Sequence, residues 1–162
     1  MLDKIYEHIV RLNSGEEGIS REQLWKGLVY FTEHPDKLMP HIEEVTVEKQ
    51  MRTPGDFVFL RTLNFGSFEV EDRVEFTSHE KIRYEIKASD KFPDSAHEIE
   101  INEPSSGDLF LRFTYFEDPE KSLDNIYPQG AELRRQAWQA KDQGLARLIM
   151  EAAAQGQLDT LN

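Results

Sequence analysis

Cysteine is absent from this chain of 162 residues, which excludes disulfide bonds and thiolate chemistry. No apolar run approaches the length that crosses a bilayer. The N-terminal Met-Leu-Asp-Lys-Ile-Tyr-Glu-His carries charge where a secretory leader needs an apolar stretch, so the expected compartment is the cytoplasm. Positive charge is scarce: 19 Lys and Arg face 31 Asp and Glu, giving a net charge of −12 and a pI near 4.8. A phosphate-backbone binder needs a basic face, so no nucleic-acid partner is expected. The same field repels an anionic membrane surface, so no membrane partner is expected either. Solubility is the simplest role for the acidity.

Several chemistry-bearing motifs are missing as well. Gly66 and Gly107 are isolated turn glycines, so neither a phosphate loop nor a dinucleotide fingerprint is present. His8, His34, His41, His79 and His97 are scattered singly. His79-Glu80 and His97-Glu98 start like a zinc helix motif, but neither has a second histidine four residues after the first. No Gly-x-Ser-x-Gly elbow occurs. The expectation is therefore no cofactor and no metal. Acidic pairs such as Glu16-Glu17 and Glu43-Glu44 are most simply solvated faces.

What is present is an order of elements. The length suits one domain over residues 1–162, long enough to bury a core without staples. Residues 4–12 read as a strand with imperfect alternation, and 13–18 as a loop. Ser20 opens a helix, and Gln23 three residues on completes a capping box. Leu24, Trp25, Leu28 and Val29 then give one apolar stripe. His34-Pro35 interrupts it, and residues 36–39 make one more short turn. From residue 41 the period becomes two, with strands expected at 41–51, 57–65, 68–76, 82–88, 97–102 and 109–116. An acidic, proline-punctuated link covers 117–130. A long helix follows from Ala131, with Trp138, Leu145, Leu148, Ile149 and Ala152 near one face. Gly144 sits inside it, and residues 155–162 are expected to fray.

One hairpin fixes a register. Phe65-Gly66-Ser67-Phe68 is a two-residue connection with glycine first, as a type II′ turn requires. If Phe65 lies opposite Phe68, then Leu63 faces Val70, Arg61 faces Asp72, Phe59 faces Val74 and Phe57 faces Phe76. Opposed residues share a side of the sheet. Glu69, Glu71, Arg73 and Glu75 fall on the other side and belong in water, so the first set faces inward. An Arg–Asp pair thus lies within an aromatic and aliphatic surface, where isolated charge is costly, and the two should bond to each other or to water. The pair either closes the sheet structurally or anchors the polar end of a guest. His97 is the second inward polar candidate, near Tyr115 on the same face, and a lone strand histidine is more often a core or rim residue than a catalyst. Tyr84 and Tyr115 fit a cavity wall and equally an ordinary core.

Three stretches carry a family resemblance: residues 21–28 (Arg-Glu-Gln-Leu-Trp-Lys-Gly-Leu), Val70-Glu71-Asp72-Arg73-Val74, and Glu103-Pro104 leading into Gly107-Asp108-Leu109-Phe110-Leu111-Arg112-Phe113. With the element order, they resemble the helix-grip (SRPBCC) superfamily of START domains, the major birch pollen allergen and polyketide aromatase/cyclases, and within it the AtaL-like branch. The resemblance implies an α+β helix-grip fold: a curved antiparallel sheet of about seven strands, two short helices after the first strand, and a long C-terminal helix packed over the sheet. It implies a cavity for an apolar or aromatic small molecule such as a lipid or natural product, and it transfers no catalytic residue. The expected walls are Phe57, Phe59, Leu63, Val70, Val74, Tyr84, Ile99, Leu111, Phe113, Tyr115 and Trp138, with Arg61, Asp72 and His97 supplying polarity. Binding is placed ahead of catalysis. The alternatives are a polyketide cyclase/dehydratase-like enzyme with Asp72 or His97 as acid or base, and a protein whose interior is simply full. An exposed edge strand could also pair into a homodimer.

Overall fold

The computed structural model describes residues 1–13, 18–53 and 56–161. Strand β1 (Asp3–Asn13) leads to helix α1 (Arg21–Glu33) and a single 3-10 turn at Pro35–Lys37. Six strands follow: β2 (Glu44–Thr53), β3 (Asp56–Asn64), β4 (Glu69–Thr77), β5 (Lys81–Ile86), β6 (Ser95–Asn102) and β7 (Leu109–Glu117). The short α2 (Leu123–Ile126) and the long α3 (Ala131–Ala154) complete the chain. The strands form one antiparallel sheet in the order β1-β7-β6-β5-β4-β3-β2. This is the expected α+β helix-grip arrangement, with α3 laid over the inner face.

Local chemistry explains the boundaries. Ser20 accepts from the Gln23 amide at 3.1 Å while the Gln23 side chain accepts from the Ser20 amide at 2.9 Å, closing the capping box. Proline at 35 ends α1, because the residue before a proline is pushed out of helical space. Leu24, Trp25, Leu28 and Phe31 of α1 are buried. Gly27 faces α3, and a Cβ there would come within 2.8 Å of Ile149 Cγ2, so only glycine lets the two helices approach this closely.

The hairpin register is as read from the turn. Phe65 N–H donates to Phe68 C=O at 2.9 Å, and Gly66 takes a φ of 91°. Arg61 pairs with Asp72, Leu63 with Val70 and Phe59 with Val74. The Phe57 and Phe76 rings stack at 4.4 Å. The opposite face carries charge pairs such as Arg83–Glu98 at 2.7 Å and Lys87–Glu71 at 3.3 Å.

Two expectations need correction. Strand β2 starts at Glu44 rather than 41, because the Ile42 amide donates to Met39 C=O and the Ile42 side chain is buried. The tail is not frayed over its described part. Gly156 adopts a φ of 72° and donates to Ala153 C=O, while Gln157 N–H donates to Ala152 C=O, the two bonds of a Schellman cap. The cap turns the chain back, Leu158 enters the core, and Asp159 accepts from the Gln23 side chain. Of the loop expected at 13–18, residues 14–17 lie outside the described residues, as does Asn162 at the end of the tail.

Candidate functional site

Cross-strand register assembles the site. Val74, Tyr84, His97, Tyr115 and Tyr6 are successive partners across β4, β5, β6, β7 and β1, so they form one inward row. The His97 ring stacks on Tyr84 with centroids 4.2 Å apart and on Tyr115 at 5.5 Å. From α3, Trp138 covers Tyr115 at 4.2 Å, nearly parallel.

Beside this row lies the Arg61–Asp72 pair, both side chains nearly inaccessible. Arg61 Nε donates to Asp72 Oδ1 at 2.8 Å, Nη2 to Oδ2, and Nη1 to the Thr32 carbonyl at 2.7 Å. Burial works against the guanidinium charge, but the Asp72 carboxylate outweighs it and holds the Arg61 pKa above its ordinary value. Tyr84 O–H donates to Thr32 Oγ1 at 2.6 Å, and Thr32 Oγ1 in turn donates to the Leu28 carbonyl. Burial pushes the Tyr84 phenol up to about 12, against the opposing pull of Arg61 and the Thr32 hydrogen bond. This network ties the sheet to α1.

A second polar cluster ties the sheet to α3. Asp142 is buried, and its Oδ2 accepts from Tyr115 O–H at 2.6 Å and bonds His8 Nε2 at 2.7 Å. Burial, followed by the Asp142 charge, drives the Tyr115 phenol far upward, so it stays protonated and donating. One residue earlier, Lys141 is half-buried, with its ammonium 5.5 Å from the Tyr115 ring centre. Burial lowers its pKa; Asp142 opposes that and Arg61 reinforces it.

Two partly open spaces flank His97 and Lys141, and both residues border each of them. The larger holds about 270 Å³ and is walled mainly by Phe65, Phe68, Val70, Phe92, Tyr115 and Trp138. The smaller holds about 80 Å³ between Phe31, Leu38, Arg61, Tyr84, Ile99 and Leu145. At the rim of the larger, Arg134 pairs with Glu117 and, at 2.6 Å, with Asp124.

Not every expected wall residue borders these spaces. Val70, Tyr115 and Trp138 line the larger, Arg61, Tyr84 and Ile99 the smaller, and His97 both. Phe59, Leu63, Val74, Leu111 and Phe113 face inward but are packed into the core, each 3% exposed or less, and Asp72 sits behind Arg61. Phe57 opens instead on a separate surface depression beside Trp25 and His79. Lys141, Asp142, His8 and Thr32 were missed. Asp142 had a signal: it lies four residues after Trp138 and three before Leu145, inside the apolar stripe.

His97 makes no hydrogen bond among the described residues, and its imidazole is held neutral. Burial first, then the charges of Lys141 and Arg61, depress its pKa well below the ordinary value. The unfolded chain therefore takes up a proton at His97 below about pH 6.5 that the folded chain refuses. Stability is lost as pH falls through that window, by up to about 1.4 kcal/mol per unit from this group. In thermal melts across it, His97→Phe should show a shallower fall of Tm with acidification than the wild type.

Residues 7–156 match the family described as acetylaranotin biosynthesis cluster protein L, AtaL. No curated protein matches the sequence. Among solved structures, the ZhuI aromatase/cyclase from Streptomyces sp. R1128 superposes with a TM-score of 0.63 at 12% identity, covering 95% of this chain and 94% of that one. The di-domain aromatase/cyclase StfQ from the steffimycin pathway gives 0.61 at 13% identity over 94% of this chain, which spans about half of StfQ's length (52%). Norcoclaurine synthase from Thalictrum flavum, in complex with dopamine and hydroxybenzaldehyde, gives 0.53 at 14% identity, covering 93% and 88%. At such low identity these likenesses concern the helix-grip fold alone, while the family match takes in nearly the whole chain: it is a member of the AtaL family.

Proposed function

We propose that this protein binds a small apolar or aromatic molecule in the space between the inner face of the sheet and α3. The observation that carries this reading is the cavity of about 270 Å³, with aromatic walls and two nitrogen-bearing side chains, His97 and Lys141, that lie against rings but make no hydrogen bond or ion pair among the described residues. Small-molecule sites combine mostly apolar walls with a few convergent polar groups. The volume lies just below the usual range of about 300–1,000 Å³ for such sites, which favours a guest of one or two rings. A structural neighbour that held dopamine and hydroxybenzaldehyde supports an aromatic guest.

A second reading is a cyclase- or dehydratase-like enzyme using the same cavity. It is favoured by His97, whose imidazole borders both spaces and has no hydrogen-bonding partner among the described residues.

Trp25→Phe leaves Trp138, against the cavity, as the single tryptophan reporter. Titration with a naphthalene-based probe should then give a saturable 1:1 change in its fluorescence. A linear, non-saturating response would count against a binding cavity. Native mass spectrometry should show a co-purifying guest, and conversion of that guest by the protein would favour the enzyme over the carrier.

A further inference from the structure

Resting on that binding reading, we infer that the guest is an acid whose anionic oxygen, a carboxylate or a phenolate, docks on Lys141 with His97 beside it. The inference comes from asking which charges around the cavity already have partners. Arg61 is engaged by Asp72 and the Thr32 carbonyl. Asp142 takes Tyr115 and His8. Glu117 takes Ser122 and Arg134, and Arg134 also holds Asp124. His97 is neutral, and the Tyr84 and Tyr115 phenols stay protonated. Lys141 is left. Among the described residues its ammonium has no hydrogen bond and no ion pair; it lies against the face of Tyr115, with the already engaged Asp142 the nearby carboxylate.

An ammonium on a half-buried side chain, partly withdrawn from water and without a protein hydrogen-bonding partner, is less favourable than one that is paired, and a bound anion supplies that partner. A neutral guest leaves the ammonium as it was. An amine guest is repelled by Lys141 and by Arg61 nearby. The neutral His97 offers the same oxygen a ring N–H. The apolar body then extends toward Phe65, Phe68 and Phe92, which line the same space. The net charge of −12 opposes the approach of an anion, but ions screen that field beyond about 8 Å, whereas contacts inside the cavity are screened far less.

The inference has a proton signature. The free ammonium is held below its ordinary pKa, and a carboxylate beside it raises it again, so acid binding is linked to protonation of Lys141. Affinity for the acid is full below the free-state value and falls as pH rises through it toward the ordinary lysine range of about 10.4.

The test uses the Trp25→Phe protein with three probes of one shape: 2-naphthoate, its methyl ester and 2-naphthylmethylamine. The acid should bind about tenfold or more tighter than the ester, the amine weakest. Lys141→Met should bring the acid down to the ester's affinity while leaving the ester's unchanged, and should abolish the weakening of the acid at high pH. Equal affinities for acid and ester in the Lys141 protein, or a preference for the acid that survives Lys141→Met, overturns the inference and leaves the binding cavity standing. Binding of none of the three probes overturns both.

Discussion

Arg61→Met should destabilise the fold by about 3–5 kcal/mol, read as a lower urea midpoint at an unchanged slope. The substitution leaves the Asp72 carboxylate buried with neither of its two guanidinium bonds, and leaves the Thr32 carbonyl without its donor. Joining it with Asp72→Leu removes the stranded charge, and exchanging a whole buried pair for apolar residues is often close to neutral. The double variant should therefore recover most of the lost stability. It also separates the two roles open to this pair. With every Arg61 nitrogen engaged inside the protein, the pair is expected to join α1 to the sheet, and the double variant should still take up a naphthalene probe. A double variant that folds and no longer binds would show instead that the guanidinium orients the guest.

Phe59→Ala should cost about 3–5 kcal/mol and leave probe affinity unchanged. The Phe59 ring is 1% exposed and packs against Phe57 and Phe76 at 5.4 and 4.7 Å, but it does not border either space beside His97. Urea unfolding measures the first effect and Trp138 fluorescence the second. A large loss of affinity in a folded Phe59→Ala protein would mean that the guest reaches deeper along the sheet than the cavity beside Trp138.

Why some of this could be read from the sequence and some could not is a matter of range. The Arg61–Asp72 pairing follows from a two-residue turn and a period of two, both local. The inward row from Tyr84 to Tyr6 depends on which strands become neighbours, and β1 returns to β7 from the far end of the chain. Its parity is hidden further by a register shift between Lys4 and Tyr6, which breaks the alternation and brings Tyr6 and His8 to the inside. Inward orientation also says nothing about packing. Val70 and Val74 face the same way on β4, yet one meets open space and the other a closed core. Nothing local in the sequence marks Lys141, because charged residues on a helix are usually solvated. Its place three residues after Trp138 put it on the cavity side all the same. The tail misled because a terminus without periodicity reads as loose, whereas Gly156 followed by Leu158 closes a cap and drives an anchor into the core.

The two ends of α3 are held by different forces. Beyond Gly144 the helix is clamped by Ile149 against Gly27 and by the buried Leu158, contacts that tolerate almost no displacement. Ahead of it the grip is polar and aromatic: ion pairs on Arg134, the stacked rings of Trp138 and Tyr115, and the buried Asp142 bonded to Tyr115 and His8. A guest placed between Phe68 and Trp138 would meet the end of α3 held by ion pairs and ring stacking rather than the end clamped at Gly27. Salt weakens the latch at Arg134 and leaves the clamp untouched. Guest exchange should therefore quicken with ionic strength while the melting temperature scarcely moves.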